Sequence, residues 1–390
     1  MSKTLILNAT VLIGGKLKEN LSVLIDSDKI LEVGYVGKTP DNTDVINAEG
    51  NYLLPAFIDL HAHGGDGADF ADMTKDAFNK IMLTHLKHGV TLICPTLVAS
   101  EWNKTLNFLR LCDEVAKYSP MFSGAHLEGP FLSPIMCGAQ NQNKIIKPTQ
   151  THTHELFEFS NLISCITAAP EIDGVEYLAT KMKSEGVSMS VGHSNATSYE
   201  MKKAAQWGFD RVTHLYSSTS RRDKYGSYVI GGIEESALID DRFTVELIGD
   251  GHHVSRESFL LTEKCKGKDG IILVSDAMRA AGCNGLSESF LGEIKKENRV
   301  IIEDGVAKLP DHSSFAGSIA VGDTMVSALC GRYKLPLETV AHMLSAVPAK
   351  ALGLKKRGEI KKGYDAELVI LDKNYKTKKI ISKVTRYYNV

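Results

Sequence analysis

The chain has 390 residues, ample for a large core and more than a single domain usually needs. Its 45 basic and 47 acidic residues are well mixed and leave a net charge of −2, which argues against nucleic acid or a membrane surface as a partner. No apolar run approaches the roughly 20 residues that span a bilayer. The seven cysteines are dispersed without a CxxC pair, and no signal-peptide pattern precedes the first strand, so a cytoplasmic location is expected.

The two ends of the chain share a β composition. Residues 3 to about 53 predict short strands separated by turns, with no histidine before His61. The tail, Gly358–Asp372, returns to the same composition, and we expect it to pair with the first strands. The predicted organisation is a small β domain formed by 1–53 and 355–390 beside a larger domain formed by 54–354.

From Pro55 onward, strand-like and amphipathic helical segments alternate in eight β-then-α units. This pattern predicts an α/β fold, a (β/α)₈ barrel, with an open doubly wound sheet as the competing architecture. The strand candidates are Phe57–His63, Val90–Pro95, Ser123–Glu128, Leu162–Thr167, Val187–His193, Arg211–His214, Thr244–Ile248 and Gly270–Asp276.

Polar residues fall at the ends of these strand candidates. They are His61, His63, Glu128, His193, His214 and Asp276. In a barrel those ends meet at one mouth, where active sites lie, whereas an open sheet would spread them along a line. The placement of these side chains therefore favours the barrel.

His61 and His63 are two residues apart in Phe57–Gly65, so on a strand their imidazoles point to the same side. Such a pair is a usual way to bind a transition metal, although the pair alone is equally compatible with two histidines that are hydrogen-bonded in a loop. Each of the other positions also has an interpretation without a metal. Glu128 could form a salt bridge in a loop, and His193 and His214 could be structural histidines. Together, however, the six residues form a set that chance rarely assembles.

Nitrogen and oxygen donors without thiolates suit Zn, Fe, Mn or Co, and two histidines, a bridging carboxylate and two more histidines could hold one or two such ions. A centre of this kind lowers the pKa of bound water to about 7. Asp276 is placed to take the proton and hand it to a leaving amine, so hydrolysis of an amide or ester is predicted. The segment Asp250–His253 follows the seventh strand candidate, and a histidine in it is expected to hydrogen-bond the substrate. The remaining histidines considered are interpreted as structural or surface residues: His126, His152, His154, His312 and His342.

The sequence resembles the N-acetylglucosamine-6-phosphate deacetylase family of the amidohydrolase superfamily. The motifs that carry the resemblance occur in the family's order: Pro55–Gly65, His126–Phe131, Val191–Ser194, Thr213–Tyr216, Asp250–Val254, Val274–Ala277, Phe315–Ser318 and the closing Gly363–Val369. The resemblance implies a distorted (β/α)₈ barrel with a β-sandwich formed by both chain ends, usually in a homodimer. The implied reaction is the loss of acetate from the 2-acetamido group of a hexosamine 6-phosphate.

The resemblance also implies residue roles. Glu128, His193 and His214 match the metal ligands that are common to the family, and His61 and His63 match the pair kept by members with two metals. Asp276 matches the general acid/base and is also counted with the metal ligands. His253 matches a residue that binds the substrate. Phe315, Ala316 and Gly317 match a loop that contacts the sugar.

Departures from the family pattern cluster where the substrate is bound. Gly138-Ala139-Gln140 stands where the family has Gly-Ala-His, and Gln140 can donate a hydrogen bond but cannot carry charge. Ser217-Ser218 replaces Asn-Ala. The family's phosphate-binding arginine has no aligned counterpart, so Arg221 and Arg222 are candidate phosphate ligands, with solvated surface arginines as the alternative.

The leading hypothesis is a metal-dependent deacetylase of an N-acetyl amino sugar, most simply N-acetylglucosamine 6-phosphate. One alternative is an amidohydrolase that acts on N-acetylgalactosamine 6-phosphate, an unphosphorylated amino sugar or an N-acyl amino acid. Another is a non-catalytic relative that binds a sugar or a metal. All of them predict a small molecule as the partner.

Overall fold

A computed structural model describes residues 3–35 and 37–388; Met1, Ser2, Val36, Asn389 and Val390 lie outside the described residues. Its centre is a ring of eight parallel strands, each hydrogen-bonded to the next in chain order. The strands are β1 (Phe57–Ala62), β2 (Val90–Val98), β3 (Ala125–Glu128), β4 (Ile163–Ala168), β5 (Ser188–Val191), β6 (Phe209–Val212), β7 (Thr244–Ile248) and β8 (Ile271–Val274).

The ring closes where the end of β8 meets the end of β1. The backbone N–H of Asp276 donates to the carbonyl of His61 at 2.9 Å, and that of His63 donates to the carbonyl of Ala277 at 2.8 Å. A parallel bridge joins Ala62 to Ala277. The predicted (β/α)₈ fold class is thereby confirmed, and the carboxyl ends of all eight strands surround one mouth.

Helices pack outside the ring through their apolar faces. In the first of them Thr74 caps the amino terminus by accepting from the N–H of Ala77, and Phe78, Ile81 and Met82 are buried against the barrel. The α-helices span Lys75–Lys87, Trp102–Ala116, Gln150–Phe157, Val175–Ser184, Ser198–Trp207, Ile233–Ile239, Arg256–Lys266, Gly322–Val326, Leu337–Leu344, Ala346–Ala351 and Lys383–Tyr388.

The two chain ends meet in one seven-stranded mixed sheet, as their shared composition predicts. Leu368–Leu371 from the tail pairs antiparallel with Tyr52–Pro55, so Leu368 lies opposite Pro55. The strands of this sheet are Lys3–Ile13, Lys16–Asp26, Lys29–Val33, Thr43–Asn47, Tyr52–Pro55, Leu368–Leu371 and Thr377–Ile381. The division into 1–53 with 355–390 and 54–354 remains a proposal.

Two small sheets that the sequence analysis did not predict lie beyond the strand ends. One has three antiparallel strands, Glu288–Phe290, Arg299–Glu303 and Val306–Lys308, and the other is a hairpin of Asp223–Tyr225 with Tyr228–Ile230. A tight pairing of Gly64–Gly65 with Ala68–Asp69 follows β1. Within 3–35 and 37–388, no helix has both the length and the apolar character that a membrane crossing requires.

Candidate active site

The six predicted metal-site residues lie together at the barrel mouth, and all six are buried. His61 lies within β1 and Glu128 is the last residue of β3, while the other four follow a strand by one or two residues. The sequence analysis had extended three strands to His193, His214 and Asp276, but these strands end two residues earlier, at Val191, Val212 and Val274.

Those three residues share an unusual backbone. The φ angles of His193, His214 and Asp276 are 46°, 31° and 49°, in the left-handed region that side-chain-bearing residues seldom adopt. Such a conformation costs of the order of 1 kcal/mol per residue and persists where the surrounding fold imposes it. Here it turns each side chain inward from the strand end toward the barrel axis.

One group of donors is formed by Glu128, His193 and His214. Oε1 of Glu128 lies 3.0 Å from Nε2 of His193 and 2.8 Å from Nε2 of His214, and the two Nε2 atoms are 3.2 Å apart. Three donor atoms from three different strands therefore converge on one point, an arrangement able to hold a metal ion.

A second group shares Glu128 and adds His61 and His63. The Nε2 atoms of the two histidines are 3.1 Å apart, and Oε2 of Glu128 lies 3.4 Å from Nε2 of His63. Oδ1 of Asp276 is 3.1 Å from Nε2 of His63 and 3.4 Å from Nε2 of His61. Glu128 thus lies between the two groups, and the nitrogen and oxygen donors fit a divalent transition metal.

The electrostatics of this cluster favour a cation. Burial acts to lower the pKa of His61, but Glu128 and Glu246 raise it well above the ordinary value. Burial acts to raise the pKa of Asp276, yet contacts with His63 and His61 hold it below its usual range. Both shifts mean that buried carboxylates attract positive charge to this position, which a divalent ion would supply.

Five residues of the cluster, all but His61, line a cavity of about 570 Å³. Of the residues predicted to contact substrate, Ala139, Gln140, Ser217, Ser218, Arg221, His253, Phe315 and Gly317 line this cavity. Ala316 is fully buried and is not part of the lining, and Arg222 lines a neighbouring cavity beside the hairpin. A volume of this size is typical of a small-molecule site.

Comparison with known proteins agrees with this geometry. A profile of the amidohydrolase family matches residues 52–390. The chain belongs to the amidohydrolase family. It is 30% identical over 376 residues to an N-acetylglucosamine-6-phosphate deacetylase of Lysinibacillus sphaericus, which covers 95% of this chain and 94% of that protein. It is 29% identical over 345 residues to an N-acetylgalactosamine-6-phosphate deacetylase of Escherichia coli O157:H7, covering 85% and 87% of the two chains.

Among solved structures, the crystal structure of N-acetylglucosamine-6-phosphate deacetylase from Pasteurella multocida is similar with a TM-score of 0.89. The identity is 26%, and the match covers 97% of this chain and 98% of that one. These relatives confirm the predicted resemblance to the N-acetylglucosamine-6-phosphate deacetylase family.

In this amidohydrolase, Gln140 is held by a contact that the sequence does not reveal. Its Oε1 accepts a hydrogen bond from the backbone N–H of Ala99 at 2.7 Å, and its Nε2 lies 3.2 Å from Nε2 of His193. Because the oxygen is engaged by Ala99, the NH₂ group is directed at the metal-site residues. A neutral hydrogen-bond donor at position 140 therefore faces His193 and the other metal-site residues.

His253 is similarly fixed within the amidohydrolase cavity. Its Nδ1 donates to Oδ2 of Asp250 at 2.7 Å, while Oδ1 of Asp250 accepts from the backbone N–H groups of His252 and His253. Burial acts to lower the pKa of His253, but the hydrogen bond to Asp250 raises it. The ring packs against Phe315 with centroids 4.7 Å apart, so histidine and aromatic loop form one wall.

Sequence reasoning missed a further stretch of the cavity wall, which comprises Leu291, Lys308, His312, Ser313 and Ser314. Lys308 ends the three-stranded sheet, and His312, which had been interpreted as structural or surface, lies at the cavity. The signal that was available was Asp304-Gly305, because both residues have positive φ in the hairpin turn that precedes Lys308.

Proposed function

We propose that the chain hydrolyses the 2-acetamido group of N-acetylglucosamine 6-phosphate and releases glucosamine 6-phosphate and acetate. The observation that carries the proposal is the convergence of six buried histidine and carboxylate side chains at the barrel mouth, five of which line a cavity of sugar-phosphate size. The deacetylases of Lysinibacillus sphaericus and Pasteurella multocida, which match nearly the whole chain, support the choice of substrate.

We propose that Glu128, His193 and His214 hold one divalent ion and that His61, His63 and Glu128 hold a second. Zn, Fe, Mn and Co all suit this donor set. A divalent ion bound there supplies Lewis-acid activation of water and of the substrate carbonyl.

The chain's own residues then have separate tasks. Asp276 accepts the proton of the attacking water and delivers it to the nitrogen of the leaving amine. Gln140 donates its NH₂ to the acetyl carbonyl oxygen, and its orientation is maintained by Ala99. His253, fixed by Asp250, donates to a substrate oxygen beside the aromatic ring of Phe315.

The phosphate would lie at the outer end of the cavity, between Arg221 and Lys308. Both cations belong to the lining, whereas Arg222 does not. The side chain of Arg221 is 77% exposed, with Nε 3.6 Å from Oε1 of Glu234. That of Lys308 is 18% exposed and is held by Asp304 at 2.9 Å. A guanidinium and an ammonium in the lining of one cavity suit a dianionic group.

N-acetylgalactosamine 6-phosphate is the second candidate substrate. The specific reason is that Gln140, Ser217 and Ser218 replace family residues in the sugar-binding wall, together with the relative from Escherichia coli O157:H7. We also propose a cytoplasmic homodimer, in keeping with seven free cysteines and with the family resemblance.

Amine release should be measured with the metal-loaded protein on four substrates. These are N-acetylglucosamine 6-phosphate, N-acetylgalactosamine 6-phosphate, N-acetylglucosamine and an N-acetyl amino acid. We expect the highest kcat/KM on the first. A higher kcat/KM on N-acetylgalactosamine 6-phosphate would identify that sugar as the substrate. Hydrolysis of the N-acetyl amino acid alone would contradict the proposed function.

A further inference from the structure

We infer that Glu246 and Arg211, a buried ion pair behind the metal-site cluster, are positioning residues for His61 and control whether the second metal position is filled. Oε1 of Glu246 lies 3.4 Å from Nη1 of Arg211, and both side chains are buried. The inference rests on the metal centre in the proposed function and adds two residues that contact no substrate.

Glu246 determines which nitrogen of His61 faces the cluster. Its Oε2 lies 3.2 Å from Nδ1 of His61, and a carboxylate oxygen can only accept there, so Nδ1 carries the proton. The lone pair of Nε2 is then directed toward His63, Glu128 and Asp276. A metal ligand requires that unprotonated nitrogen, and a carboxylate on the other nitrogen also raises its basicity.

The other three histidines are held differently. Nδ1 of His63 donates to the carbonyl of Thr96 at 3.2 Å. Nδ1 of His193 donates to the carbonyl of Met136 at 3.0 Å, and Nδ1 of His214 donates to that of Ser217 at 3.1 Å.

These three contacts use backbone carbonyls, which no side-chain substitution removes. Of the four histidines, only His61 depends on a replaceable side chain. Because His61 belongs to the second donor group alone, a change at Glu246 acts on one metal position and leaves the group of Glu128, His193 and His214 intact.

Arg211 supplies the charge that holds Glu246 in place. The two residues lie on adjacent strands, β6 and β7, where Arg211 pairs with Thr244, two residues before Glu246. A buried carboxylate without a cationic partner would be strongly destabilised. Glu246 therefore directs Oε1 at the guanidinium of Arg211 and Oε2 at the imidazole of His61.

Glu246→Gln is the sharpest perturbation because it keeps the shape of the side chain. The single amide oxygen would remain with the always-charged Arg211, so the NH₂ group would face Nδ1 of His61. That arrangement favours the tautomer with the proton on Nε2, which cannot bind a metal. We expect the second ion to bind ~10-fold to ~100-fold more weakly, with the first affected less than twofold.

The matched control is Glu367→Gln. Glu367 forms another buried pair with Arg357, with Nη2 and Oε2 2.9 Å apart, at the amino-terminal side of the barrel, where Arg357 also contacts Thr91 of β2. Glu367→Gln replaces the same type of residue in the same kind of ion pair, away from the strand ends that carry the metal-site residues. This variant should bind both ions as the parent does.

Metal stoichiometry and affinity should be measured by calorimetric titration of Zn²⁺ into the chelator-treated full chain, with bound metal counted by mass spectrometry. We expect two ions per chain for the parent and for Glu367→Gln, and one tight ion for Glu246→Gln. Glu246→Asp, which keeps the charge, should recover part of the second affinity. Two ions bound to Glu246→Gln with parental affinity would overturn the inference, and so would a parent that binds one ion.

A measurement on the unmodified protein covers the case in which a variant fails to fold. Histidine-selective ¹⁵N spectra of the Zn²⁺-loaded parent should report His61 with its proton on Nδ1 and no proton on Nε2, and the opposite tautomer would overturn the inference. None of these measurements uses a substrate, so the role of Glu246 and the deacetylase activity are tested by independent experiments.

Discussion

Oδ1 of Asp276 lies 3.1 Å from Nε2 of His63, at the point where the last barrel strand meets the first. This places a buried carboxylate beside His61 and His63 of the second donor group, and Asp276→Asn would keep its shape but remove its ability to carry a proton. We expect kcat to fall by ~100-fold to ~10,000-fold. Circular dichroism and the thermal midpoint should stay close to those of the parent. The exposed Asp173→Asn is the control. Parental turnover by Asp276→Asn would remove Asp276 from the proton-transfer role.

Gln140 should contribute through one hydrogen bond from its NH₂ group. Gln140→Ala removes the donor, and Gln140→Glu replaces it with an acceptor, so we expect both variants to lower kcat/KM by ~10-fold or more. Gln142→Ala, two residues away and exposed, is the control and should change little. If Gln140→Glu retained the parental kcat/KM, the hydrogen bond to the acetyl carbonyl would not exist.

The sequence predicted much of the barrel and of the metal site because both follow from local patterns. A strand with a histidine or a carboxylate at or just after its carboxyl end is visible in the sequence at His61, Glu128 and His214. The strand Thr244–Ile248 was likewise predicted with the bounds that the structure has, because it is a short, mostly apolar run.

What the sequence could not predict depends on contacts between distant segments. The orientation of Gln140 is set by Ala99, 41 residues away, and the tautomer of His61 by Glu246, 185 residues away. The left-handed backbone at His193 is imposed by the fold and leaves no local signal. Lys308 was missed because its hairpin lies outside the repeating strand and helix pattern.

The anion site can be tested with three parallel substitutions. Arg221→Met and Lys308→Met should each raise KM for N-acetylglucosamine 6-phosphate by ~10-fold, since each removes a charged hydrogen-bond donor from the cavity. Arg222→Met is the matched control, because Arg222 lines the neighbouring cavity. KM for unphosphorylated N-acetylglucosamine should be the same in all three. A larger effect of Arg222→Met than of Arg221→Met would place the phosphate on the other side of the hairpin.

Glu234 provides a pH-dependent test of the wall that supports Arg221. Burial raises the pKa of Glu234 to about 7, although Arg221, with Nε 3.6 Å away, acts in the opposite direction. Because the folded-state pKa lies above the unfolded one, the favourable contribution is complete below the unfolded pKa near 4.5 and is lost as the pH rises through about 7.

Glu234→Gln stays neutral at every pH, so it should be more stable than the parent at pH 8 by ~1 kcal/mol, or ~1 °C in thermal midpoint, with the gap closing toward pH 5. Thermal unfolding of both proteins at pH 5 and pH 8 measures the difference. Glu185→Gln, on an exposed helix end, should show no change in the gap between the two pH values. An equal stability difference at pH 5 and pH 8 would mean that Glu234 does not titrate in this range, and that its carboxylate is instead paired with Arg221 at both.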